Sequence, residues 1–143
     1  MQAHGDALAQ LQAAHAIYTA SLPAGHPLLA ATLCACARSA AAAGDASDAE
    51  RRYAAALDAA RAAHGAGSFE EAVLLVEWGS CGGARDSAHE RAIRRGLQLL
   101  ALVLHQHHPF IVRTAALLVD EMRAAGKRTE AELVRSQFGL MRC

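Results

Sequence analysis

Leu22-Pro23-Ala24-Gly25-His26-Pro27 sets the architecture, because its last residues come back later in the chain. His107-His108-Pro109 repeats the His-Pro pair, and Gly67-Ser68 stands midway between the two. From His26 to Gly67 and from Gly67 to His108 the spacing is 41 residues each time. Proline is at home in the first turn of a helix, where its missing N–H has no partner to lose. In the middle copy Ser68 is the natural N-cap, with Glu71 three residues on as the second half of a capping box.

Two further features recur in register. Gly44, Gly83 and Gly126 each stand where a helix is due to stop, the usual place for a glycine in the left-handed conformation. Five residues beyond each glycine lies Ala49, Ala88 or Ala131, small enough for a second helix to come close to the first. The middle copy is two residues shorter up to its glycine, so it is the degenerate one. Each unit therefore reads helix, glycine turn, helix, loop. The expected helices span 6–22, 27–43, 47–64, 68–82, 86–105, 109–125 and 129–138. Apolar residues keep the helical period: Leu29, Leu33, Cys36/Ala37 and Ala40 in one helix, Ile111, Ala115, Leu118/Val119 and Met122 in its counterpart. A period near 40 made of two helices predicts an all-α domain. It is an α-α superhelix of about seven antiparallel helices, in which neighbours bury one another's faces. One domain is expected over 1–143, as a half repeat at 6–22 and units at 27–64, 68–105 and 109–138.

Composition agrees. Alanine, leucine, glutamate and arginine, all good helix formers, fill the intervals between scattered β-branched residues. The 143 residues carry 14 basic and 14 acidic side chains, so the excess positive charge of a general nucleic-acid binder is lacking, and nucleic acid is not an expected partner. Leu97–Leu104 is far too short to span a bilayer, and Asp6 interrupts the start where a secretory signal would be apolar. Cys34, Cys36, Cys81 and Cys143 have no metal-knuckle or redox spacing, and Cys34 and Cys36 point in different directions on one helix. A reducing, cytoplasmic setting is the expectation.

The residues that carry the repeat resemble a known family. Leu22 to Pro27, Leu29-Ala30, Thr32-Leu33, Ala37, Gly44-Asp45, Ala49-Glu50, Tyr53 and Ala56-Leu57 look like the tetratricopeptide repeat (TPR). The likeness is to the 42-residue variety of kinesin light chains and related bacterial proteins. His108-Pro109, Ile111, Thr114, Leu118, Gly126 and Ala131-Glu132 match in the last copy, and the helix with Ala14, Ile17 and Leu22 is similar to the second helix of an earlier repeat. The resemblance implies a right-handed superhelix whose concave face, lined by first helices, holds a peptide or partner protein.

Where peptide-gripping members of that family often carry asparagine pairs, this chain has Cys34-Ala35 and Ala116-Leu117, which cannot clamp a peptide backbone. A smooth, small-residue apolar groove is expected instead, better matched to a helix or packed element than to an extended peptide. Arg38, on the same helix as Cys34, and Trp78, a buried wedge in the short repeat or a partner-facing hot spot, complete the candidate binding residues on the inner helices. The chain ends on Phe138-Gly139-Leu140-Met141 after an uncapped helix, so docking or self-association through Phe138, Leu140 and Met141 is a further expectation.

Residues that carry chemistry elsewhere have plainer readings. His105, His107 and His108 have no carboxylate or thiol nearby to complete a metal site, and His26 and His108 belong to the repeat's own punctuation. Asp86 and His89 lie three apart, but Asp86 complements a helix start and His89 takes an edge position. Glu70 and Glu71 are first-turn charges, and Glu77 faces solvent beside Trp78. Arg51, Arg52, Arg91, Arg94 and Arg95 form an outer face neutralised by Glu50 and Glu90. No phosphate loop, nucleotide fingerprint or nucleophile elbow occurs. The reading is a non-catalytic scaffold or adaptor without cofactor or metal. The alternatives are a regulatory or sensor module from a longer protein and, third, a small enzyme or metal-binding protein using the histidine-rich junction.

Overall fold

Seven helices run through the residues described by the computed structural model, 2–81 and 87–140: α1 (Gln2–Ser21), α2 (Pro27–Ala42), α3 (Ala46–His64), α4 (Phe69–Ser80), α5 (Ser87–Val103), α6 (Pro109–Ala124) and α7 (Arg128–Gln137). The boundaries follow the punctuation. His26 and His108 are the N-caps of α2 and α6, and in each the imidazole Nδ1 accepts the amide two residues on, Leu28 or Phe110, at 3.1 Å. The His-Pro pair is thus a complete helix start: the ring takes up one orphan amide, and the proline removes another. Ser68 caps α4 by accepting the Glu71 amide at 3.2 Å, while Glu71 Oε2 accepts the Gly67 amide at 2.7 Å. The three caps sit at 26, 68 and 108, so the unit length is 42 and then 40, not the uniform 41 counted through Gly67.

Helix ends behave alike. Gly44 and Gly126 adopt φ +83° and +81°, and the amides just after them reach back to Ala40 and Met122 (3.2 and 2.8 Å). Those bonds close the left-handed helix terminus that favours glycine. Gly139 ends α7 in the same way, with the Leu140 amide on the Arg135 carbonyl at 3.0 Å. Gly83 lies outside the described residues. The main difference from expectation is α1, which starts four residues early.

Contacts run chiefly between consecutive helices, with α2–α3, α4–α5 and α6–α7 as hairpins and α1 laid on α2. This is a chain of neighbours, as a repeat requires. Ala49 and Ala131 are buried at the hairpin crossings as expected. The α2–α3 hairpin is built from small residues: Ala37, Ala40, Ala56 and Ala60 are all at most 1% exposed. In α4–α5 two glycines set the approach. A Cβ on Gly79 would lie 2.4 Å from Ile93 Cγ1 and 2.8 Å from the His89 carbonyl oxygen. One on Gly96 would lie 2.7 Å from Val76 Cγ2 and 3.0 Å from the Ala72 carbonyl oxygen. The backbones of α4 and α5 meet because these side chains are missing. Trp78 packs half-buried at the edge of this contact, its ring edge-on to His89 at 5.5 Å.

Three charged residues depart from the surface roles expected of them. Glu71 is buried and receives Arg61 Nε at 2.8 Å as well as the Gly67 amide. Glu90 is buried too, holding Arg94 at 2.9 Å and Lys127, at the start of α7, at 2.8 Å. His89 is buried under Trp78 rather than lying at an edge. Each carboxylate ties the start of its helix to a neighbouring element, so desolvation is met by charge-assisted hydrogen bonds.

Candidate functional site

Helices α2 and α4 stand side by side with a gap between them, and the gap is a groove of about 360 Å³. The floor follows from the sequence. On α2 the residues facing it are Pro27, Ala30, Ala31, Cys34 and Arg38, a stripe at helical spacing that is small along most of its length. Ala60 and His64 at the end of α3 close one end, and α4 supplies Phe69, Glu70, Val73 and Leu74. Phe69 is 46% exposed, a large apolar surface for a residue in a helix's first turn.

Few polar side chains reach the groove, and they stand at its two ends. His64 Nδ1 lies 3.9 Å from Glu70 at one end. At the other, Arg38 donates from Nε and an Nη to the two oxygens of Glu77 at 2.9 and 2.8 Å, a two-pronged bridge from α2 to α4. Glu77 is therefore engaged across the inner face rather than turned to solvent. Beyond Arg38 lies a second, shallower hollow, also about 360 Å³, bounded by Arg38, Tyr53, Glu77, Ser80 and Cys81. Burial, then the hydrogen bond to the Cys81 thiol, holds the Tyr53 hydroxyl well above the ordinary phenol range. Burial likewise raises the Cys34 thiol despite the attraction of Arg38. Cys34 is thus a mostly protonated, weakly nucleophilic wall of the groove.

The candidate residues fall into three places. Cys34 and Arg38 line the α2–α4 groove, while Ala35 is half-buried on α2 and not part of its lining. Trp78 faces α5, with its Nε1 buried and without a hydrogen-bond partner among the described residues. Ala116 is half-buried and Leu117 38% exposed on α6, and neither lines these hollows. Phe138 lines a different hollow of about 280 Å³ between α5 and α7, with Leu97, Ala101, Leu118 and Val134. Leu140 is half-buried against the core, and Met141 lies outside the described residues. The sequence reading missed Ala31, Phe69 and Val73. The stripe at 27, 30/31, 34 and 38, small up to Arg38, was its one available signal, and the facing wall on α4 had none.

In the histidine-rich junction two rings serve the backbone, and His107 Nε2 lies 3.2 Å from the Gln106 side-chain amide. His105 Nδ1 accepts the His107 amide at 3.3 Å, and His108 Nδ1 caps α6. Among the described residues no group of three or more His, Cys, Asp and Glu side chains is placed to hold a metal ion. Asp86, the expected neighbour of His89, lies outside the described residues. On the outer face Arg51 and Arg52 pair with Asp48 at 2.6 and 2.8 Å, and Arg94 pairs with Glu90. No described helix is long and apolar enough to cross a membrane.

No protein-family model matches the sequence, and no curated protein does. Solved structures do. A crystal structure of a Podosopora anserina kinesin light chain protein with nearly identical TPR-like repeats superposes with a TM-score of 0.83. It covers 97% of this chain and 69% of its own, at 18% identity. The fold is a TPR-like solenoid. A second crystal structure, of a variant of that protein, gives 0.82 at 18% identity, over 94% of this chain and 65% of that one. At this identity the likeness establishes the arrangement of helices, with α2, α4 and α6 as first helices, and leaves the surfaces to be read from this chain alone.

Proposed function

We propose that this chain is a non-catalytic docking module, a scaffold or adaptor whose groove between α2 and α4 seats an apolar segment of a partner protein. The carrying observation is the groove itself: a small-residue floor, an exposed Phe69 wall and, at one end, an arginine whose charge is already met by Glu77. Such a surface rewards aliphatic burial at about 25 cal/mol per Å² and offers no asparagine ladder to an extended backbone. A short helix with aliphatic residues at i, i+4 and i+7 fits that chemistry, because the helix satisfies its own backbone and presents only side chains.

Photo-crosslinking in the source cell tests it. A benzoylphenylalanine at position 31 or 73 is expected to trap one discrete partner, whereas the same group at position 102, on α5 and 80% exposed, traps none. Crosslinks from position 102 with silence at 31 and 73 would overturn the reading.

A further inference from the structure

The inference rests on the docking reading above and concerns how the groove ends. Arg38 belongs to both hollows of the inner face: it closes the α2–α4 groove and bounds the shallower hollow of Tyr53, Ser80 and Cys81. Its bridge to Glu77 is the partition between them. The two side chains differ in accessibility, Arg38 being 54% exposed and Glu77 29%, so an approaching ligand meets the guanidinium first. An ion pair this exposed contributes little, so a better-placed carboxylate can replace it. The guanidinium fork suits a carboxylate in two-pronged geometry, the role Glu77 now plays.

We infer that Glu77 is an internal stand-in for a partner carboxylate: the docked segment places an Asp, Glu or terminal carboxylate on Arg38, displaces Glu77 and joins the two hollows into one channel. The spacing is set by α2. Pro27 and Arg38 are eleven residues apart, about 16 Å along the helix at 1.5 Å per residue. A helix lying alongside carries its carboxylate about eleven positions from the first aliphatic residue seated near Pro27 and Phe69. The aliphatic stripe supplies affinity, and the carboxylate sets register and direction. Among the described charged groups of this face, only Arg38 combines an exposed cation with a place at the mouth of both hollows.

Two stapled, capped peptides test this, identical except at one position. Each carries leucines at its first, fifth and eighth positions, followed by Asp or Asn at the twelfth. Binding is read by fluorescence anisotropy and by protection of Cys34 from alkylation, and a thermal melt of each variant checks folding. The Asp peptide is expected to bind the unaltered protein a few-fold more tightly than the Asn peptide. Glu77→Gln frees Arg38 without changing shape, and is expected to tighten the Asp peptide a few-fold while leaving the Asn peptide unchanged. Arg38→Gln is expected to erase the difference. Equal binding of both peptides to Glu77→Gln, with Cys34 protected, would overturn the carboxylate inference and leave the groove reading standing. Failure of both peptides to bind and to protect Cys34, in the folded unaltered protein and in folded Glu77→Gln alike, would sink both.

Discussion

The first and second hairpins perform the same architectural task with opposite materials. In α2–α3 the contact is made by alanines on both helices, with Tyr53 and Leu57 as the larger members. In α4–α5 the large residues Leu74, Leu75, Ile93, Leu97 and Leu100 crowd the crossing, and the helices close only because Gly79 and Gly96 leave room. The charges differ in the same direction. Arg51 and Arg52 meet Asp48 near the surface of the first hairpin, while Glu71 and Glu90 are buried at the starts of the two helices of the second. A repeat can therefore keep its period while its packing changes wholly, provided the helix starts and stops stay fixed.

Damage to the second hairpin is expected to cost most. Leu100→Ala removes a fully buried side chain and should destabilise the fold by about 2–5 kcal/mol. Chemical denaturation reads this directly, and a loss below about 1 kcal/mol would show that the hairpin has slack to collapse. Gly96→Ala and Gly79→Ala come next, at about 1–3 kcal/mol each, because the added methyl meets helix backbone as well as side chains. Ala at either site would otherwise raise helix propensity, so a stabilised variant would contradict the close approach outright.

Acid separates the hairpins further. Burial raises the carboxyls of Glu71 and Glu90, but the Gly67 amide and Arg61 at the first, and Lys127 and Arg94 at the second, more than offset it, so both end below the ordinary carboxylate value. A depressed folded-state pKa means stability that is present above the unfolded value of about 4.3 and lost as pH falls through the folded value. Hydrogen exchange is therefore expected to show the starts of α4 and α5 loosening as pH falls below about 4, and Glu71→Gln with Glu90→Gln should flatten that dependence. An unchanged acid limb in the double variant would assign it to other carboxylates.

Helix starts carry the least. His26→Ala removes one amide acceptor at α2 and should cost about 1 kcal/mol, with Asn restoring most of it. A thermal melt resolves the difference, and equal loss in Ala and Asn would mean the ring matters for packing rather than capping.

The same contrast explains what the sequence could reveal. Glycine stops, His-Pro starts and the Ser68–Glu71 box act over a few residues, so they are visible without knowing what lies across the fold. The pairs that tie one hairpin to the next are remote: Arg38 reaches Glu77 39 residues away, and Glu90 reaches Lys127 37 residues away. Their meeting depends on how one hairpin is rotated on the next, and helical period alone does not fix that. Cys34 was singled out by its place in the family resemblance, and it lines the groove together with Arg38 of the same helix. Phe69 and Val73 were not, since their wall exists only once α4 lies beside α2. Gly96 carries no local signal either, since the need for a missing side chain there comes from Ala72 and Val76 across the crossing.

Docking in the α2–α4 groove, and on no other apolar surface, can be checked by calorimetric titration of the crosslinked partner, once recovered, against Val73→Asp and Leu133→Asp. Val73 lines the groove, and Leu133 is 67% exposed on α7, so both substitutions place a charge on an apolar surface. The expected result is a loss of at least about tenfold in affinity for Val73→Asp and none for Leu133→Asp, corresponding to about 1.4 kcal/mol or more at the groove. The reverse pattern would place the partner at the α7 end and refute the groove as the seat.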